Sequence, residues 1–156
     1  MTVLITGATS GIGKSCAKFF SRKGHKTILI GRRNDRLVKL SKELGVKKSL
    51  PIQLDVRNKE KVFQTISELP KDFKNISILI NNAGLAWGLE PAHKIDIKKW
   101  ETMIDTNCKG LVYMTRAVLP GLIKRNKGHI VNIGSVAGSY PYAGGNVYGG
   151  TKAFVK

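Results

Sequence analysis

The sequence predicts an α/β protein: a doubly wound parallel sheet of strand order 3-2-1-4-5, as one domain over residues 1–156. Two observations predict it. Short, continuously apolar runs alternate with segments of helical period, the pattern of a parallel sheet covered by helices on both faces. A glycine-rich turn also joins the first apolar run to the first helical segment, where a doubly wound sheet carries its phosphate-binding loop.

The elements follow in order. Val3 to Thr6 reads as the first strand and Ile12 to Lys23 as the first helix. Thr27 to Ile30 is the second strand, followed by a helix over Asn34 to Leu44. Leu50 to Leu54 is the third, with a helix over Lys59 to Leu69. Ile76 to Ile80 is the fourth, then one long helix from Ile97 to Lys124. Pro120 predicts a kink or an early end in that helix, because proline lacks an amide proton. Ile130 to Gly134 is the fifth strand, and a last helix begins near Asn146. Right-handed crossovers between these strands give the doubly wound arrangement. No repeat, low-complexity tract or linker divides it.

Composition narrows the function classes. The 42% hydrophobic content is that of an ordinary globular chain. No apolar run reaches the roughly 18 residues of a membrane span, and Met1 leads into Val3-Leu4-Ile5 without a signal-peptide pattern. Cys16 and Cys108 have no metal-ligand spacing and read as reduced thiols of a cytoplasmic protein. His25, His93 and His129 are scattered, so no metal site is expected. The net charge of +17 comes from 27 Lys and Arg against 10 Asp and Glu. These cations are spread along the chain with few aromatics among them, which argues against a nucleic-acid surface.

The glycine turn is Gly7-Ala8-Thr9-Ser10-Gly11-Ile12-Gly13, after Thr6. Glycines at 7, 11 and 13 allow a tight turn and close approach of a pyrophosphate to backbone amides at a helix N-terminus. This is a Rossmann-type loop. The second strand ends at Ile30-Gly31-Arg32-Arg33. An acid there would hold the ribose 2′-hydroxyl of NAD and repel a 2′-phosphate. Arg32 and Arg33 stand there instead, and guanidinium binds phosphate with paired donors. The expected cofactor is therefore NADP.

Tyr148 and Lys152 are spaced i and i+4, on one face of the last helix. A free tyrosine holds its proton to about pH 10, and an ammonium one turn away favours its release. Tyr148 can then exchange a proton with a substrate hydroxyl. Ser135, after the fifth strand, can hydrogen-bond the same substrate oxygen. Gly149 and Gly150 weaken a helix by about 1 kcal/mol each, and a cofactor lying against the helix backbone is the expected reason for them.

The glycine loop, Asn81-Asn82-Ala83-Gly84 after the fourth strand, Asn107, Ser135 and Tyr148-x-x-x-Lys152 together resemble a short-chain dehydrogenase/reductase across all 156 residues. Trp100–Asn107, Gly110–Pro120 and Tyr140–Tyr148 look most like NADP-dependent 3-hydroxy acid (serine/allo-threonine) dehydrogenases. The resemblance implies that Lys152 also holds the nicotinamide ribose and that Asn107 positions a water linking Lys152 to solvent. It implies that Asp55 and Val56 lie near adenine, with a helix-capping Asp55 as the competing reading. It places Asn82, Ala83 and Gly84 at the cofactor, the first two through their backbone.

The family pattern continues beyond the last helix, so the chain is expected to be C-terminally incomplete, with strands missing, its fifth strand an unpaired edge and its last helix fraying. Substrate-specificity residues are expected to lie outside it, and the 156-residue chain alone to have little turnover. The family implies homo-oligomers built on the long fourth helix and the catalytic helix. The resulting expectation is an oxidoreductase acting on a small-molecule hydroxy acid, with no nucleic-acid or membrane partner. The competing readings are a non-catalytic remnant that binds nucleotide and a reductase of 3-oxoacyl thioesters.

Overall fold

The computed structural model describes residues 1–156. Five strands form one parallel sheet: β1 Thr2–Thr6, β2 Lys26–Gly31, β3 Ser49–Gln53, β4 Ile76–Asn81 and β5 His129–Asn132. Their spatial order is β3-β2-β1-β4-β5, as the sequence predicts. Leu4 of β1 stands opposite Ile28 of β2 and Leu79 of β4, which sets the register at the centre of the sheet.

The strands bury both faces because their side chains alternate. Leu4, Ile28, Ile30 and Leu79 point to one side, where Val62 of α3 (Lys59–Ser67) and Met114, Val118 and Leu122 of α5 (Gly110–Lys124) close over them. Val3, Ile5, Leu29 and Ile80 point to the other, against Ala17 of α1 (Gly11–Arg22) and Leu37 and Leu40 of α2 (Asn34–Leu44). Each large apolar side chain so buried stabilises the fold by about 1.5–3 kcal/mol before entropy is counted. Pro51 sits in β3, at the sheet edge, where its missing amide proton breaks no interior ladder. At the other edge, β5 pairs only with β4.

The long helix expected over Ile97 to Lys124 is not continuous. It divides into α4 (Ile97–Ile104), a π-helical turn at Asp105–Lys109, and α5. The Gly110 amide reaches back five residues to the Asp105 carbonyl. Thr106 and Asn107, both in this turn, are buried. The early end expected at Pro120 does not occur; α5 runs through it to Lys124. Pro120 is on the solvent face, where the carbonyl that it leaves without a partner can meet water. The last helix, α6, spans Asn146–Val155 and carries Tyr148 and Lys152. No helix is long and apolar enough to cross a membrane.

Candidate active site

The carboxyl ends of β1, β2, β3 and β4 open onto a cleft of about 810 Å³. Of the residues that the sequence singles out for a cofactor, Gly7, Thr9, Ser10, Gly11, Ile12, Arg32, Arg33, Asp55, Val56, Asn82, Ala83 and Gly84 line it. Ala8, Gly13, Tyr148 and Lys152 do not. The Ala8 side chain is fully buried in the core and its amide donates to the Ile30 carbonyl at 3.0 Å. Gly13 instead allows close packing, since a Cβ there would overlap the Gly7 carbonyl and the Asn82 amide. Sequence reasoning missed Ile30, Gly31, Leu54, Leu85 and Thr106, which also line the cleft.

The loop is shaped to leave room. Gly7 and Gly11 take φ of +65° and +52°, a region costly for other residues. A Cβ at Gly7 would fall 2.8 Å from Asn82 Nδ2, whereas a Cβ at Gly11 would project into open space, the space that a pyrophosphate needs. Asn82 Nδ2 donates to the Thr6 and Gly7 carbonyls at 3.0 and 3.1 Å, pinning the loop to the end of β4. The amides of Asn82 and Ala83 both donate to Thr6 Oγ1, so neither is free for a ligand. These residues fit a phosphorylated dinucleotide: open space at the helix N-terminus and guanidinium groups at the far wall.

At that wall Arg33 lies across the loop. Its Nη2 donates to Thr9 Oγ1 at 2.6 Å and Ser10 Oγ at 3.0 Å. Asp55 grips Arg57 through both carboxylate oxygens, the shortest contact being 2.6 Å. Burial pushes the Asp55 carboxyl up, but the hydrogen bonds and charge of Arg57, with Arg32 further off, bring it below the ordinary value. The capping reading of Asp55 is not what the structure shows: Asn58 caps α3, its side chain accepting from the Lys61 amide at 2.9 Å.

The other side of the site is built on α6. Lys152 is buried, its Nζ 6.0 Å from the centre of the Tyr148 ring and 2.8 Å from the Ile133 carbonyl, to which it donates. Desolvation lowers the Lys152 pKa, partly opposed by Cys108. Burial raises the Cys108 thiol in turn. Ser135 follows β5 and starts a 3₁₀ turn, Val136–Gly138, its hydroxyl accepting from the Ala137 amide at 3.2 Å. That turn packs on α6: a Cβ at Gly138 would sit 2.6 Å from the Lys152 carbonyl carbon. A Cβ at Gly149 would meet the Ala137 carbonyl of this turn at 3.1 Å, whereas a Cβ at Gly150 would meet nothing within 4 Å.

Asn107 joins the two sides. Its Oδ1 accepts from the Leu85 amide and its Nδ2 donates to the Leu85 carbonyl, both at 2.9 Å. Nδ2 also donates to Thr151 Oγ1 at 3.0 Å, and that hydroxyl donates to the Tyr148 carbonyl at 2.8 Å. Thr151 went unnoticed in the sequence, although a helical threonine at i+3 from Tyr148 is placed for this bond. Thr106 Oγ1 is buried without a partner beside the cleft.

The short chain dehydrogenase family matches residues 1–156. The chain is 60% identical, over its whole length, to the NADP-dependent 3-hydroxy acid dehydrogenase of Salmonella typhi, of which it covers 62%. It is 51% identical to sulfoacetaldehyde reductase 2 of Chromohalobacter salexigens, over 99% of the chain and 62% of that relative. Among solved structures, the closed form of serine dehydrogenase complexed with NADP+ superposes with a TM-score of 0.97 at 61% identity, covering 99% of this chain and 62% of that one. The chain thus spans less than two thirds of the length of these relatives.

Proposed function

The chain belongs to the short-chain dehydrogenase family, and on that premise we propose that it is an NADP-dependent oxidoreductase interconverting a small 3-hydroxy acid and its 3-oxo acid. The observation that carries the reading is the meeting of cleft and α6 at Gly84. Gly84 lines the cleft, and a Cβ there would lie 3.6 Å from Lys152 Nζ. A ligand in the cleft can therefore reach the Tyr148–Lys152 face.

Gly7 to Gly13 and the α1 N-terminus hold the pyrophosphate, and Arg32 and Arg33 bind the 2′-phosphate with charge-assisted donors. Asp55, Val56, Ala83 and Gly84 wall the adenosine half. Lys152 steadies the nicotinamide ribose. NADP, when bound, supplies the hydride acceptor in one direction and the donor in the other. Tyr148 takes the proton of the substrate hydroxyl in oxidation and returns it to the carbonyl oxygen in reduction. The Ser135 hydroxyl hydrogen-bonds that oxygen. Asn107 keeps the π-helical turn, the Leu85 loop and α6 in register.

The substrate class rests on the relatives: one named for 3-hydroxy acids, one for sulfoacetaldehyde and a structure of serine dehydrogenase. All three names describe small anionic or zwitterionic compounds. The test has two parts. The 156-residue chain is expected to bind NADP. In a polypeptide of the relatives' full length carrying this sequence, Tyr148→Phe is expected to cost roughly 10²–10⁴-fold in turnover of a 3-hydroxy acid and leave NADP binding intact. Undiminished turnover in Tyr148→Phe would remove Tyr148 from the chemistry. NADP binding without turnover in the longer polypeptide would favour a nucleotide-binding remnant.

A further inference from the structure

A second cavity, of about 270 Å³, adjoins the cofactor cleft and shares Thr9 with it. Its wall carries three cations from two helices: Lys14 of α1, and Arg36 and Lys39 of α2. Neither Lys14, Arg36 nor Lys39 lines the cleft itself. The two cavities meet at Thr9, whose hydroxyl accepts from Arg33 of the cleft wall.

The acids on these helices do little to offset the three cations. α1 carries no acid at all, and α2 carries Asp35 and Glu43. Glu43, in the second cavity, is already paired with Lys18 at 3.1 Å. The hydrogen bond and charge of Lys18 hold its carboxyl below the ordinary value, with help from Lys14 and Lys39. The whole chain carries a net charge of +17, of the same sign as this cluster.

We propose that Lys14, Arg36 and Lys39 form an anion-collecting antechamber that draws the phosphorylated dinucleotide toward the cleft and does not hold it once seated. The inference rests on the NADP reading above. A cluster of one sign beside a concave site focuses the field and raises the on-rate of an oppositely charged ligand by about 10- to 1,000-fold. Such a long-range effect is screened once the Debye length falls to a few ångströms. A contact residue instead sets the off-rate.

The test is stopped-flow binding of NADPH to the wild-type chain and to the triple variant Lys14→Glu/Arg36→Glu/Lys39→Glu across ionic strength. At about 10–20 mM salt the variant is expected to bind roughly 10- to 100-fold more slowly, with the two rates converging near about 1 M. The off-rate is expected to stay within about twofold. Should charge reversal unfold the chain, Lys14→Gln/Arg36→Gln/Lys39→Gln gives a smaller fall of the same form. An off-rate that rises while the on-rate holds would make these residues direct contacts and overturn the proposal. So would a wild-type on-rate independent of salt. Absence of any NADPH binding by the wild type would overturn the cofactor reading itself, an outcome distinct from salt-independent binding.

Discussion

Asn107 Nδ2 and Thr151 Oγ1 form a buried hydrogen bond of 3.0 Å that ties the π-helical turn to the helix carrying Tyr148 and Lys152. Asn107 spends its other polar capacity on the Leu85 backbone, and Thr151 passes the link to the Tyr148 carbonyl. One buried side chain therefore ties together three segments far apart in sequence. Asn107→Ala would leave the Leu85 amide and carbonyl unpaired and is expected to destabilise the chain by about 2–4 kcal/mol. Thr151→Val, which strands only the Asn107 amide, is expected to cost about 1–2 kcal/mol. Thr151→Ser is expected to keep both bonds and most of the stability. Denaturant unfolding measures all three.

Gly7 and Gly11 separate fold from cofactor. Both have positive φ, so alanine at either carries about 1–2 kcal/mol of backbone strain. Only Gly7→Ala adds a steric conflict, with Asn82 and Ala83. Gly7→Ala is expected to lower stability markedly. Gly11→Val is expected to leave a folded chain whose side chain fills the pyrophosphate space, with NADP affinity reduced at least about tenfold. Thermal unfolding and a binding titration on the same samples distinguish the two.

Lys152 is buried with its ammonium on a carbonyl rather than a carboxylate. Its folded pKa is lowered by desolvation, so the unfolded chain binds the proton more tightly. Stability from this group therefore rises as pH climbs from the folded pKa toward the ordinary lysine value of about 10.5. Below the folded pKa the unfavourable contribution is present in full. Lys152→Met is expected to be as stable as the wild type or more so at neutral pH, to show less gain at alkaline pH, and to lose turnover. A lower unfolding midpoint for Lys152→Met would contradict this.

Asp55 titrates in the opposite sense. Arg57 holds its carboxyl below the ordinary value against the effect of burial. The stabilisation is present above the unfolded value, about 3.9, and is lost as pH falls through the lower folded value. Asp55→Asn is expected to lower stability at neutral pH and to flatten the stability profile below about pH 4, where the two chains converge. Unfolding midpoints of both chains across that range provide the check.

The parts of this molecule that were legible in the sequence are those set by local pattern. Continuous apolar runs such as Ile28-Leu29-Ile30 mark the strands, because both faces of a parallel strand are covered, and their order follows from right-handed crossovers in a doubly wound sheet. The glycine loop was readable because strand, turn and helix stand in the required sequence, and Arg32 and Arg33 follow at a fixed place. What escaped depends on partners distant in the chain. Nothing local marks the π-helical turn; its Asn107 is turned inward by Leu85 and Thr151. The Ala137 carbonyl beside Gly149 is likewise a neighbour that only the fold supplies. Of the two readings of Asp55, the cap falls away because Asn58 caps α3 while Asp55 holds Arg57. Of the kink or early end that Pro120 predicts, the early end does not occur, because the proline faces water, where the carbonyl it leaves unpartnered can be hydrated.

Whether this cleft takes a 2′-phosphorylated dinucleotide is decided by paired titrations of the chain with NADPH and NADH. NADPH is expected to bind at least about tenfold more tightly, and Arg32→Ala/Arg33→Ala to abolish the difference by weakening NADPH alone, by roughly 1.5–3 kcal/mol for each charged hydrogen bond lost. Equal affinities in the wild type, or a preference for NADH, would contradict that expectation.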